Sequence, residues 1–187
     1  MTFHRIETSR LFLAPLQMKD ALSMLEYHSN PEVVKYIPWP VRDLKMVEET
    51  LAEYLTLTDL KSEGDYLMLG LYRKSDKQLI GQMNVMYRSE QNRLAEFGYV
   101  LNPRFSKNGF ATEASKALVT ELFNTGKFRR VIAKMDARNI PSAELCKRLG
   151  FRLEAHHLQD DFFKEEWTDT LIYATLQEDW FKARAIQ

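Results

Sequence analysis

Val100-Leu101-Asn102-Pro103-Arg104-Phe105-Ser106-Lys107-Asn108-Gly109-Phe110-Ala111-Thr112-Glu113-Ala114 is the stretch on which the fold turns. An apolar run stops at Asn102-Pro103, a polar loop with one glycine follows, and helical spacing begins after it. The first turn of a helix presents unpaired N–H groups and the positive end of the dipole, so a strand, loop and helix in this order suit a phosphate or pyrophosphate. Gly109 lets the backbone come close to an anion, and Ala111 keeps the helix start uncrowded. The Gly-Lys-Ser/Thr ending of a Walker loop is missing, and one glycine does not make a dinucleotide fingerprint. On these residues alone, an ordinary strand-to-helix turn stands beside the anion site as a reading.

Outward from the loop, periodicity assigns the rest. Arg93 to Leu101 reads as the strand before it and Gly109 to Asn124 as the helix after it, with Ala111, Ala114, Leu118 and Leu122 in one stripe. Upstream, Asp65 to Tyr72 and Gln78 to Tyr87 form a hairpin around Lys74-Ser75-Asp76-Lys77. Arg10 to Ala14 is a short strand, Met18 to about His28 a helix, and Asp43 the cap of a longer helix through Leu57. Downstream come a strand over Arg130 to Ala137, a helix over Pro141 to Leu149 stopped by Gly150, and two closing antiparallel strands, Phe151 to Leu158 and Glu166 to Leu176. With no repeat and no linker, residues 1–187 are expected to form a single mixed α/β (α+β) domain.

The 187 residues are 45% hydrophobic, enough for a sizeable core, and 26 basic residues balance 26 acidic ones. No basic surplus favours nucleic acid. The single Cys146 cannot form an internal disulfide, and no window approaches the roughly 18 apolar residues of a membrane helix. A cytoplasmic protein is expected, without nucleic-acid or membrane partners; a homodimer is left open.

A second segment, Asn139-Ile140-Pro141-Ser142-Ala143-Glu144-Leu145-Cys146-Lys147-Arg148-Leu149-Gly150-Phe151, delivers a strand into a short helix whose start carries Asn139 and Ser142. Simple helix capping accounts for both residues. Taken with the first segment, the pair resembles the GNAT superfamily of N-acetyltransferases. Ser106 to Ala111 falls on that family's Gln/Arg-x-x-Gly-x-Gly/Ala loop, and Asn-x-x-Ser with Leu-Gly-Phe on its second cofactor segment. Ala95-Glu96-Phe97-Gly98-Tyr99, Gly109 to Ala114, Glu166-Trp167-Thr168-Asp169 and Asp179-Trp180 resemble the Rim-type branch, the ribosomal-protein N-terminal acetyltransferases. The likeness runs from about Arg10 to Trp180. It departs at Ser106, usually Gln or Arg, and at Lys107, often glycine.

The resemblance implies a mostly antiparallel mixed sheet whose central strand pair splays apart, flanked by helices. It also implies acetyl-CoA as acetyl donor and a primary amine as acceptor, foremost a protein N-terminal α-amine. The main chain at Tyr99 and Val100 would pair with the pantetheine arm, Lys107, Asn108, Gly109, Phe110, Ala111 and Thr112 would hold the pyrophosphate, and Asn139 would bond the cofactor from the opposite strand. The amine must lose a proton to attack, and Glu96, on the strand leading into the splay, is the candidate base. A solvent-facing carboxylate paired with a cation is the other reading of Glu96. A backbone N–H near Tyr99 or Val100 would meet the developing oxyanion. Ser142 is the candidate partner of the leaving thiolate. Cys146, at the position where many relatives carry tyrosine, is either a substitute donor or a core residue.

His4, His28, His156 and His157 show no metal-ligand spacing, and no metal is expected. Lys127, Arg129 and Arg130 form a basic cluster that either meets the 3′-phosphate of CoA or faces solvent. Tyr36, Pro38, Trp39, Phe162, Phe163 and Trp167 are candidate walls of the acceptor slot or packing residues. Two rival functions remain, a small-molecule amine acetyltransferase and a non-catalytic acyl-CoA-binding module.

Overall fold

The structure, a computed structural model, describes residues 5–185; His4 lies outside them. The strands are β1 (Ile6–Glu7), β2 (Leu11–Ala14), β3 (Tyr66–Arg73), β4 (Leu79–Ser89), β5 (Leu94–Leu101), β6 (Arg130–Asp136), β7 (Arg152–Phe163) and β8 (Glu166–Leu176). The helices are α1 (Ala21–His28), α2 (Pro31–Val34), α3 (Leu44–Tyr54), α4 (Phe110–Asn124), α5 (Ile140–Leu149) and α6 (Gln177–Ala185). The strands form one sheet in the order β1-β2-β3-β4-β5-β6-β8-β7. Of the neighbouring pairs only β5–β6 is parallel; α4 makes the crossover that a parallel pair requires.

Local chemistry sets the helix boundaries. The Asp43 side chain accepts a hydrogen bond from the Met46 N–H at 2.9 Å and starts α3. Asn30 does the same for the Glu32 N–H at 3.0 Å, and Pro31 takes the first position of α2, where no N–H is needed. At the end of α5, Gly150 is left-handed and its N–H bonds the Cys146 and Lys147 carbonyls.

The sheet separates two apolar layers. Leu118, Val119 and Leu122 of α4, Leu145 and Leu149 of α5 and Trp180 of α6 pack on one face against Met83, Val85, Phe97, Val131 and Ala133. Met24 and Tyr27 of α1 with Val47, Leu51 and Tyr54 of α3 cover the other face at Met68, Tyr72 and Leu79. Alternation along β5 therefore directs Phe97 and Tyr99 to the α4–α5 side, and Glu96 and Val100 to the α1–α3 side.

The mixed single-sheet architecture agrees with the sequence reading, with four differences. A two-residue β1 is too short to show alternation. Met18–Asp20 is a 3-10 turn that precedes α1 rather than its first turn. β7 continues to Phe163, past Leu158, because an exposed edge strand carries no apolar alternation and is bulged between His157 and Asp161. α6 is polar apart from Trp180, Phe181 and alanines, so it shows no stripe; only its Asp179-Trp180 pair was anticipated.

Candidate active site

β5 and β6 pair at Leu94–Arg130, Ala95–Val131 and Glu96–Ile132, and then separate. Each strand continues with its outer neighbour: β5 stays on β4 as far as Leu101, and β6 on β8 as far as Asp136. The edge of β5 from Phe97 to Leu101 thus faces a gap instead of a strand. Gly81 on β4 lets β5 lie close on its other side, where an added Cβ would come within 2.4 Å of the Val100 carbonyl oxygen.

A cavity of about 740 Å³ occupies the mouth of this gap, within the size range of sites for small molecules and cofactors. Its walls bring together Tyr99 and Val100 of β5, Lys107, Gly109, Phe110, Ala111 and Thr112 of the loop and α4 start, and Asn139 and Ser142 of the α5 start. Two helix N-termini, with their unpaired N–H groups, therefore open on one cavity. Gly109 caps α4 at φ +79°, a left-handed position that glycine takes without strain. Lys107 sits at φ +63°, a left-handed position that a side chain occupies at some cost.

The loop is braced from behind. Glu113, in the first turn of α4, accepts hydrogen bonds from Thr8 Oγ1 (2.5 Å), Ser9 Oγ (3.0 Å), and the N–H (2.9 Å) and Nε (2.7 Å) of Arg10. Arg10 Nη1 donates to the Asn108 carbonyl at 3.0 Å, and its guanidinium lies 4.6 Å from the centre of the Phe110 ring. Partial burial raises the Glu113 pKa, but the hydrogen bonds from Thr8, Arg10 and Ser9 outweigh it and hold the carboxyl at about 2. Asn108 is the residue between Lys107 and Thr112 that is absent from the cavity wall; its amide donates to the Phe105 and Ser106 carbonyls and holds the turn.

Across the gap, the Asn139 side chain accepts from the Ser142 N–H at 3.3 Å, and the Ser142 and Tyr99 hydroxyls are 3.3 Å apart. Asn139 caps α5 and also lines the cavity, whereas Ser142 lines it without capping: its N–H is the group capped, and its hydroxyl meets Tyr99. Cys146 is 1% exposed and absent from the wall, so it is a core residue out of reach of the cavity; burial pushes its thiol up to about 12.

Glu96 is not on the cavity wall. It stands at the last paired position before the strands separate, on the α1–α3 face, and accepts from Arg88 Nε at 2.8 Å. The wall carboxylate is Glu32, which with Val33, Tyr36 and Ile37 forms a side from α2 and the turn after it. The tip of the β7–β8 hairpin reaches this side: Lys164 Nζ donates to the Val34 carbonyl. Arg138 binds Asp136 and Glu166, each at 2.7 Å, and stacks 5.7 Å from the Tyr36 ring centre.

Of the expected acceptor aromatics, Tyr36 lines the cavity. Trp39 packs against His28 at 5.1 Å, and Phe162 and Trp167 pair at 5.2 Å on the exposed hairpin. His28 is fully buried; Arg42 Nη1 donates to its Nδ1 at 3.0 Å, so Nε2 carries the proton and donates to Gln82 at 2.9 Å. His156 is exposed and bonds Asp169 at 2.9 Å. The basic cluster near Lys127 lies beyond the far end of α4, about 22 Å of helix from the loop. Lys127 is used there on the Leu60 and Lys61 carbonyls and Arg130 on Glu154, so contact with a phosphate held at the loop is ruled out for them. Sequence reasoning missed Arg10, Glu32 and Arg148 of the wall and brace, because their roles come from contacts between distant segments.

Residues 10–152 match the family of the acetyltransferase (GNAT) domain. The chain is 32% identical over 182 residues to the uncharacterized N-acetyltransferase YnaD of Bacillus subtilis, covering 94% of this chain and 98% of that one. It is 25% identical over 185 residues to the [ribosomal protein uS5]-alanine N-acetyltransferase of Escherichia coli, covering 96% and 94%. A crystal structure of a GNAT-family acetyltransferase from Bacillus anthracis superposes with a TM-score of 0.83 at 25% identity, over 93% of this chain and 99% of that one.

Proposed function

Since the chain belongs to the GNAT acetyltransferase family, we propose that it moves an acetyl group from acetyl-CoA to a protein N-terminal α-amine. One observation carries the donor half: an open strand edge and the glycine-capped start of α4 share a single cavity. The residues fit the group. Two diphosphate charges suit the N–H groups of the α4 start with Lys107 beside them, and peptide-like amides suit the free edge of β5 at Tyr99 and Val100. Bound there, acetyl-CoA supplies an activated acyl carbon with a thiolate leaving group.

The chain's own residues do the rest. Asn139 and Ser142 hold the α5 side of the gap. Along β5 the N–H groups alternate between β4 and the gap, so one N–H of the Tyr99–Val100 pair is offered to negative charge developing on the acyl oxygen. Glu96, at the throat of the splay, takes the amine proton through water. The similarity to an alanine N-acetyltransferase of a ribosomal protein supports the acceptor assignment.

A second acceptor reading, a small-molecule amine, is favoured by the Lys164–Val34 contact and the Arg138–Tyr36 stack, which bring the β7–β8 hairpin and Arg138 against the α2 side. Acetylation followed by mass spectrometry separates the two. Peptides beginning in alanine or serine are expected to be modified at the α-amine faster than spermidine or free amino acids. Preference for the free amines assigns the small-molecule class, and no transfer to any amine with acetyl-CoA bound leaves a binding module.

A further inference from the structure

Alternation along β5 puts Glu96, Gly98 and Val100 on the α1–α3 face of the sheet. Val100 lines the cavity and Glu96 does not. At about 3.3 Å per residue the two stand about 13 Å apart along the strand, with Gly98 midway. Gly98 has no side chain, and the space above it is taken by a neighbour. Asn84 of β4 is its cross-strand partner, and a Cβ added to Gly98 would come within 2.7 Å of Asn84 Oδ1 and 3.4 Å of Nδ2. On the same face of β4, Gln82 is buried and its Oε1 is taken up by Tyr27 and His28, whereas Asn84 is half-buried. Burial pushes the Tyr66 hydroxyl well above its ordinary pKa, Tyr54 and Glu96 add to the shift, and a hydrogen bond with the Asn84 side chain pulls it back. That direction is the one an amide N–H donor gives, so Nδ2 serves Tyr66 while Oδ1 lies over Gly98.

We propose that Asn84 binds the acceptor: its side-chain oxygen, lying over Gly98, accepts a hydrogen bond from the acceptor nitrogen and makes the site selective for primary amines. This rests on the acetyltransferase reading above. A nitrogen that approaches the open edge of β5 from the α1–α3 face meets the strand at Gly98, where no side chain blocks it, between the cavity and Glu96. The neutral primary amine carries two hydrogens. As the C–N bond forms and the C–S bond breaks with its electron pair on sulfur, one hydrogen leaves as a proton through water to Glu96. The other stays on nitrogen in the product amide, and this is the hydrogen that Asn84 Oδ1 holds throughout. A secondary amine has one hydrogen, which it must shed, so it leaves Oδ1 without a donor.

The test compares wild type with Asn84→Leu and Asn84→Ala, which remove the oxygen, and Asn84→Asp, which keeps one in the same place. Acetyl transfer is measured to an alanyl peptide and to its N-methylalanyl counterpart, or to alanine and N-methylalanine where free amines are preferred, beside calorimetric binding of acetyl-CoA. Wild type is expected to favour the primary amine in kcat/KM by at least about tenfold. Asn84→Leu and Asn84→Ala should lose about fivefold to tenfold with the primary amine and no more than about twofold with the N-methyl one, so that the ratio collapses while acetyl-CoA binding is kept. Asn84→Asp should retain most of the ratio. No preference in wild type, equal losses with both amines, a ratio unchanged without the oxygen or lost in Asn84→Asp, or loss of acetyl-CoA binding in both Asn84→Leu and Asn84→Ala overturns the proposal and leaves the acetyltransferase reading in place. A wild type that transfers acetyl to no amine overturns both.

Discussion

Arg10 and Glu113 meet across 103 residues of chain, with Arg10 Nη2 2.7 Å from one carboxylate oxygen and the Arg10 N–H 2.9 Å from the other. The same guanidinium reaches the Asn108 carbonyl, so the start of β2 holds the loop before α4 in place. The loop supplies N–H donors, and Arg10 and Glu113 fix the direction in which they point.

Glu113→Gln is expected to lower stability by about 1–2 kcal/mol, since charged hydrogen bonds are replaced by neutral ones. It should also weaken acetyl-CoA binding several-fold. Because the carboxyl titrates at about 2 in the folded protein against 4.5 ordinarily, its stabilisation is complete above pH 4.5 and fades as pH falls toward 2. Chemical denaturation at pH 7 and pH 3 checks this: the gap between wild type and variant should narrow at pH 3.

His28 acts in a higher window. Burial lowers its pKa to about 4 from 6.5; the Gln82 hydrogen bond opposes the shift, and the Arg42 charge reinforces it. The unfolded chain therefore binds more protons than the folded one between these values. Stability should be full above pH 6.5 and fall by about 3 kcal/mol as pH drops to 4. His28→Gln should flatten the denaturation midpoint over that interval; an unchanged slope would assign the pH dependence to other groups.

Lys107 occupies a left-handed position, φ +63°, at the cavity wall. Lys107→Gly should relieve about 1 kcal/mol of backbone strain and raise the melting temperature slightly. It also removes a cation from the phosphate side, so acetyl-CoA affinity should fall and become less sensitive to salt. Melting curves and calorimetry at two salt concentrations read the two opposed effects separately.

Glu96→Gln should reduce kcat by about a hundredfold or more with acetyl-CoA binding intact, as expected for loss of a general base. Glu32→Gln, on the cavity wall but at the exposed start of α2, should leave the chemical step nearly unchanged. The reverse order in single-turnover rates at pH 7 would transfer the base to Glu32.

How much of this was legible in the sequence follows the range of the forces involved. Asp43, Asn139 and Gly150 act within a few residues of their own backbone, and each was readable as a cap or a stop. At the cavity walls local signals left an ordinary strand-to-helix turn and simple capping open; Tyr99, Val100, Lys107, Gly109 to Thr112, Asn139 and Ser142 were named through the family resemblance, which joins the two segments. The Arg10–Glu113 brace, the Arg88–Glu96 pair and the Lys164–Val34 contact depend on strand order and on a hairpin tip meeting a helix, which no local pattern encodes. Asn108 shows the limit within a motif: its place in the loop was correct, but its side chain turns back to tie the turn rather than outward.

The most direct test of the account is titration calorimetry of acetyl-CoA into wild type and Gly109→Glu. At Gly109 an added Cβ has ordinary space, 3.5 Å from Arg10 Nη2, but the φ of +79° is strained for a side chain and the carboxylate would repel a diphosphate held at the start of α4. Circular dichroism confirms that both proteins are folded. Saturable one-to-one binding by wild type, lost or weakened at least about tenfold in the variant, is the predicted result; equal binding by both, or none by wild type, would contradict the placement of the donor at the start of α4.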